Sequence, residues 1–327
     1  DKLLRGIYSY GFEKPSSIQK KAVMPFIYGI NGKRKDIIAQ AQSGTGKTGA
    51  FVVGSLQLMD ENNKNTQVLI LAPTHELARQ IKNVVDSLGN FLNITSILLV
   101  GGTSVDENRK QIEKKKPQFV VGTPGRVHDM IRRNILDVSK LDLLVLDEAD
   151  EMLSTGFKEQ MGNILQYMPE NLQIGLFSAT LNDDLMQVAK TFMRTPIKIL
   201  VKNEELTLQG ISQYFVNLND DSEKYDTLKD IFSTLTISQS IIYCNSTRRV
   251  DDLEEAMLED EFPVKKIHGK MTEAERKKTH AEFKSGSCRV LITSDLFSRG
   301  IDVQQVSVVI NFDIPKSEYT YLHRIGR

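Results

Sequence analysis

Net charge, cysteine and long apolar runs are all scarce in this chain. Among its 327 residues, Lys plus Arg and Asp plus Glu each number 42, and cysteine occurs twice. Two cysteines, Cys244 and Cys288, are too few for a disulfide framework or a zinc site. Both fall in apolar, strand-like stretches, as small buried side chains in a reducing compartment do. No apolar run is long enough to span a bilayer, and no basic-then-apolar leader precedes the first strand, so no membrane role is expected. A zero balance also excludes a strongly basic nucleic-acid binder. The average hides an asymmetry: residues 1–200 hold 25 basic against 21 acidic side chains, and residues 201–327 hold 17 against 21. With lobes of +4 and −4, a nucleic acid would have to be gripped locally, by backbone amides, hydroxyls and a few arginines. The basic clusters Lys33-Arg34-Lys35 and Lys114-Lys115-Lys116 read first as solvated surface.

Against that plain background one segment stands out. Leu143-Leu144-Val145-Leu146 reads as a buried strand, yet it runs straight into Asp147-Glu148-Ala149-Asp150. About a hundred residues earlier, Asp36-Ile37-Ile38-Ala39-Gln40 reads as another buried strand, followed by Ala41-Gln42-Ser43-Gly44-Thr45-Gly46-Lys47-Thr48 and a helix beginning near Gly46. Glycines let consecutive N–H groups curl into one concavity, and the positive end of the following helix adds attraction for an anion. Phosphate is the natural guest. Lys47 would reach its outer oxygens, and the Thr48 hydroxyl would ligate Mg2+. The usual pattern opens on glycine where this loop has Ala41. Asp147 would hold Mg2+ directly or through water, and Glu148 would act as general base on the attacking water. Either acid alone is as readily a helix cap. The pair gains its meaning from the phosphate loop.

Strand-like runs at 68–71, 97–100, 119–121, 143–146 and 174–177 alternate with helical stretches, and a second set follows at 240–243, 264–267, 290–292 and 306–310. The length exceeds what one core usually supports. The expected fold is α/β: two tandem lobes, each a mainly parallel sheet flanked by helices. The lobes are placed at residues 1–200 and 211–327, with 201–210 as a short linker. Ligands of such sheets gather at the carboxyl ends of the strands, where the motifs fall.

Asp147-Glu148-Ala149-Asp150, read with Ala41 to Thr48, resembles the DEAD-box family of ATP-dependent RNA helicases, and the resemblance covers nearly the whole chain. Gly11-Phe12-Glu13-Lys14-Pro15-Ser16-Ser17-Ile18-Gln19 is similar to the family's adenine-reading segment. Ser178-Ala179-Thr180 is similar to its coupling motif. Pro73-Thr74, Gly101-Gly102 and Thr123-Pro124-Gly125-Arg126 resemble RNA-backbone contacts. Ser294-Asp295 with Ser298 to Asp302, and His323-Arg324-Ile325-Gly326-Arg327, resemble the second-lobe motifs. Glu205 to Gly210 and Arg299 to Val306 are most similar to the translation initiation factor four-A group, and Ile199 to Lys202 and Phe157 to Gln160 point the same way.

The resemblance implies RecA-like lobes, ATP and Mg2+ as cofactors, and an RNA-dependent ATPase that separates short duplexes. It implies that Phe12, Pro15, Gln19, Ser43, Gly44, Thr45, Gly46, Lys47, Thr48 and Asp302 contact nucleotide. Lys47, Asp147, Glu148, Arg324 and Arg327 would serve catalysis. Asp150, Ser178, Thr180 and His323 would couple hydrolysis to RNA. Pro73, Thr74, Gly102, Thr123, Arg126, Arg276 and Ser294 would touch RNA. A monomer is expected, partnered by RNA and by a scaffold or activator protein bridging the lobes, in the cytoplasm with the nucleus as an alternative. His75 stands where the family has arginine, and the chain stops within the His323 motif, so the second lobe is expected to be cut short there. An ATP-gated RNA clamp with slow turnover is the alternative function. Translation initiation and messenger RNA processing both remain open.

Overall fold

The computed structural model describes residues 2–41, 44–153, 158–181, 183–200, 211–235, 237–295 and 306–325. The chain divides into two compact units, Asp1–Leu206 and Thr207–Arg327. The stretch 201–210, read above as the linker, lies outside the described residues.

The first unit opens with helices α1 (Lys2–Ser9) and α2 (Ser17–Tyr28), then carries seven strands: β1 (Ile37–Gln40), β2 (Val68–Leu71), β3 (Ser96–Leu99), β4 (Phe119–Gly122), β5 (Leu143–Leu146), β6 (Gln173–Ser178) and β7 (Ile197–Ile199). Between them run α3 (Lys47–Leu58), α4 (His75–Leu88), α5 (Val105–Lys115), α6 (Pro124–Arg132), α7 (Ala149–Met152), α8 (Lys158–Leu165) and α9 (Asp183–Lys190). Every strand pairing is parallel, and the order is β3-β4-β2-β5-β6-β1-β7. A parallel sheet is covered on both faces, so its strands are continuously apolar. In β2 the alternation of side chains sends Val68 and Ile70 into one core and Leu69 and Leu71 into the other. The short strand β7 escaped the sequence reading, because three residues between a helix and the linker carry too little periodicity. It is held by Asp36, whose buried carboxylate accepts the backbone N–H of Ile174 at 2.8 Å and of Arg194 at 2.5 Å.

The second unit contains α10 (Glu223–Thr234), β8 (Ser240–Cys244), α11 (Thr247–Glu259), β9 (Val264–Ile267), α12 (Glu273–Lys284), β10 (Val290–Ser294), β11 (Val308–Asn311) and α13 (Glu318–Ile325). Its sheet is again parallel, in the order β11-β8-β10-β9. Ile242, Cys244 and Ile292 face one core, and Ile241, Tyr243 and Leu291 the other. Cys244 and Cys288 are buried and free, and burial pushes the Cys244 thiol up to about 12. No helix among the described residues is long and apolar enough to cross a membrane.

Candidate functional site

The strand order places the motifs beside one another. β5, β6 and β1 are successive neighbours, so the acidic segment after β5, the Ser178-Ala179-Thr180 segment at the end of β6 and the glycine turn after β1 share one stretch of the sheet's carboxyl edge. Ala41 N–H donates to Ser178 carbonyl at 3.0 Å, joining two of them directly. In the turn, Gly44 and Gly46 have φ of +77° and +97°, a region that residues with side chains rarely adopt. Gly46 caps α3 without a side-chain bond, which leaves the first N–H groups of that helix directed outward.

Lys47, the first residue of α3, is buried, and its Nζ has no hydrogen-bond acceptor among the described residues. Its ion pair is with Glu148, at 3.6 Å. A buried ammonium lacking an acceptor is costly, and a phosphate oxygen would supply one. The Thr48 hydroxyl and the Asp147 carboxylate are hard oxygen donors of the kind Mg2+ takes. Asp147 Oδ1 accepts the N–H of Glu148 at 3.0 Å. Burial and the neighbouring Glu148 push the Asp147 carboxyl up to about 7. Glu148 itself sits at φ +50°, ψ +53°, a left-handed conformation that costs a non-glycine residue about 1–2 kcal/mol. Such outliers persist where surrounding packing imposes them, commonly at functional sites.

Asp150, on α7, accepts a 2.7 Å hydrogen bond from Thr180 Oγ1, and Thr180 N–H donates to Ser178 Oγ at 3.2 Å. The acidic segment and the coupling segment are therefore physically joined. Gln19 does more than the sequence suggested. Its Oε1 accepts Ser16 N–H at 2.9 Å as part of a capping box, and its Nε2 donates to Gly46 carbonyl at 3.2 Å. An amide with one N–H and one lone pair left can still read an adenine edge while braced against the phosphate turn. The Phe12 ring packs edge-on to Tyr10 with centroids 4.8 Å apart. A Cβ on Gly49 would stand 3.0 Å from Phe12 and 2.5 Å from Gln19, so both side chains converge over the first turn of α3. Pro15 is exposed.

The remaining first-unit residues lie along β3, β4 and β2, the adjoining half of the same carboxyl edge. Pro73 and Thr74 follow β2, and Thr74 caps α4 by accepting Leu77 N–H at 3.2 Å. Gly102, exposed and at φ +79°, follows β3. Thr123 caps α6 after β4. Arg126 donates to Thr103 Oγ1 at 2.9 Å, to Thr103 carbonyl at 2.8 Å and to Asn108, so it shapes the Gly101–Thr103 turn with part of its donor set. The His75 ring lies against this turn, with Nε2 3.1 Å from where a Cβ on Gly101 would stand.

In the second unit, Ser294 ends β10 and is buried, Arg276 lies half-buried on α12, and His323 is buried on α13. Arg324 departs from expectation. It is fully buried, and all its donors are engaged within its own unit, so in this conformation none remains for a phosphate. The residue-type pattern could not show this, because the acceptors come from three separate strand ends. Ser43, Asp302 and Arg327 lie outside the described residues.

Comparison with known proteins bears on the whole chain. Residues 16–188 match the DEAD/DEAH box helicase model, and residues 223–327 match the helicase conserved C-terminal domain. The chain is 51% identical over 327 residues to eukaryotic initiation factor 4A of Caenorhabditis elegans, covering all of this chain and 80% of that protein. It is 52% identical over 325 residues to the ATP-dependent RNA helicase eIF4A of Neurospora crassa, covering 99% of this chain and 80% of that one. Among solved structures, Saccharomyces cerevisiae Dbp5 bound to RNA and ADP BeF3 superposes with a TM-score of 0.92 at 34% identity, covering 100% of this chain and 83% of that chain. The DEAD-box helicase Mss116 bound to single-stranded RNA and UDP-BeF gives 0.88 at 26% identity, over 100% and 70%.

Proposed function

This chain belongs to the DEAD/DEAH box helicase family and is an ATP-dependent RNA helicase of the eIF4A type, and from that premise we propose that it opens short RNA duplexes during translation initiation or messenger RNA processing. The observation that carries the reading is that the glycine turn, the acidic segment and Ser178-Ala179-Thr180 lie on one half of a sheet's carboxyl edge, and Pro73-Thr74, Gly102 and Thr123 on the adjoining half. ATP hydrolysis can thus alter the surface on which RNA lies.

Lys47 holds the outer phosphate oxygens and Glu148 takes a proton from the attacking water. Thr48 and Asp147 would hold Mg2+, which would supply positive charge to offset that of the phosphates. Thr180 and Asp150 transmit the state of the nucleotide end to the rest of the unit. Contacts to sugar and phosphate give little sequence preference, so the RNA is recognised as backbone. The protein acts as a monomer in the cytoplasm. A protein partner is supported by the solved complex of the relative Dbp5 with Nup159 and Gle1.

Strand displacement of a short, fluorescently labelled RNA duplex tests the proposal. Separation with ATP that is multiple-turnover supports it. Long-lived ATP-dependent retention of single-stranded RNA with no separation would establish the clamp instead.

A further inference from the structure

At the carboxyl edge of the second sheet three strand ends converge on one guanidinium. Arg324 Nε and one terminal nitrogen donate to the two oxygens of Asp295, after β10, at 2.5 and 2.8 Å. The same terminal nitrogen donates to Asn245 Oδ1, after β8, at 2.7 Å. The other donates to Asn311 Oδ1, at the end of β11, at 3.1 Å and to Asp313 carbonyl at 2.7 Å. A guanidinium has five N–H groups, and these five bonds use all of them. Tyr243 lies beneath, 5.2 Å from the guanidinium carbon.

Ion pairs among the described residues flank this cluster. Arg324 is matched by the forked carboxylate of Asp295. Asp313 pairs with Arg249 at 2.8 Å and Lys224 at 3.1 Å, and Asp221 pairs with the same two cations at 2.6 Å each. Three cations meet three carboxylates. For Arg324 to turn to a phosphate, its fully buried guanidinium would have to give up the half-buried Asp295 carboxylate and the buried Asp313 carbonyl, and breaking such a buried arrangement is costly.

We infer that Arg324 is a positioning residue for RNA: by clamping Asp295 it fixes the end of β10, and with it the adjacent Ser294, against the ends of β8 and β11. The inference rests on the reading above that Ser294 meets the RNA backbone, and it separates Arg324 from the residues that touch nucleotide.

The test uses the full chain with Arg324→Lys and Asp295→Asn, each of which keeps much of the local volume, and the double variant. ATP affinity without RNA, KM for single-stranded RNA and kcat at saturating RNA are measured, with thermal unfolding as the companion readout. The two single variants should look alike, with RNA KM raised at least about tenfold, kcat at saturating RNA within about threefold of the parent, and ATP affinity unchanged. The double variant should be no worse than either single one, as for partners in one interaction. A hundredfold loss of kcat in Arg324→Lys at unchanged RNA KM, with Asp295→Asn near normal, would overturn the inference and put Arg324 on the phosphate. Should RNA fail to stimulate even the parent chain, the helicase reading fails. In that event the unfolding data decide the pair: additive losses in the double variant refute the clamp, and coupled losses sustain it.

Discussion

Replacing Asp147 with asparagine should make the nucleotide-free protein more stable while abolishing its use of Mg-ATP. The Asp147 carboxyl is pushed from 3.8 to about 7, first by burial and then by Glu148 beside it. A raised folded-state value means that the folded chain holds its proton where the unfolded chain has lost it. Stability from this group is therefore greatest at acid pH, falls as pH rises from about 4 to about 7, and is level above. About three units correspond to a ceiling of about 4 kcal/mol. The asparagine carbonyl can still accept the Glu148 N–H that Asp147 Oδ1 now accepts at 3.0 Å, so little else is lost. The expected gain near pH 7.5 is about 2–4 kcal/mol, or roughly 5–10 °C in the calorimetric transition that nucleotide shifts. Near pH 5.5 the parent still carries most of its proton, and the gain should shrink to about 2 kcal/mol or less. Scanning calorimetry in chelator at both pH values measures it. Mg-ATP should reverse the order, because only the parent gains ligand stabilisation. A gain that does not change between the two pH values, or a loss at neutral pH, would refute the reasoning.

Glu148→Gln should retain ATP and RNA binding but lose about 10²–10⁴-fold in turnover, and its ATP-dependent RNA complex should dissociate more slowly; steady-state ATPase and RNA off-rates check both. Gln19→Ala removes the brace on Gly46 together with the adenine contact proposed for this side chain, so KM should rise for both nucleotides, by tenfold or more for ATP and by less for GTP. Thr180→Val deletes the 2.7 Å bond to Asp150 and should cut strand displacement more than ATPase, measured side by side at saturating RNA. Asp36→Ala strands the buried Ile174 N–H and removes the acceptor of the part-buried Arg194 N–H, and should cost about 1–3 kcal/mol of stability in urea unfolding, with little change in RNA affinity.

Most strands were legible because parallel strands covered on both faces are largely apolar, as at 68–71 and 143–146, which fall where the sequence put them; 264–267 does too, although Lys265 and Lys266 interrupt its apolar run. The glycine turn was equally legible as a turn, since Gly44, Gly46 and Lys47 lie close together between a strand and a helix. What could not be read were features assembled from distant segments. The left-handed Glu148, the Gln19 bond to Gly46, the Asp36 brace of β7 and the five-bond network of Arg324 all depend on where tertiary packing brings an acceptor. Arg324 shows the risk most clearly: as a residue type it suits a phosphate, but its own unit has already used every donor.

The most direct test of the account is the ATPase rate of the intact chain measured alone, with single-stranded RNA and with single-stranded DNA of the same sequence, the parent set beside Glu148→Gln. The account predicts low turnover alone, stimulation by RNA but not by DNA, and no stimulated activity in the variant. Equal stimulation by DNA, or a Glu148→Gln protein that keeps the parent's RNA-stimulated rate, would contradict it.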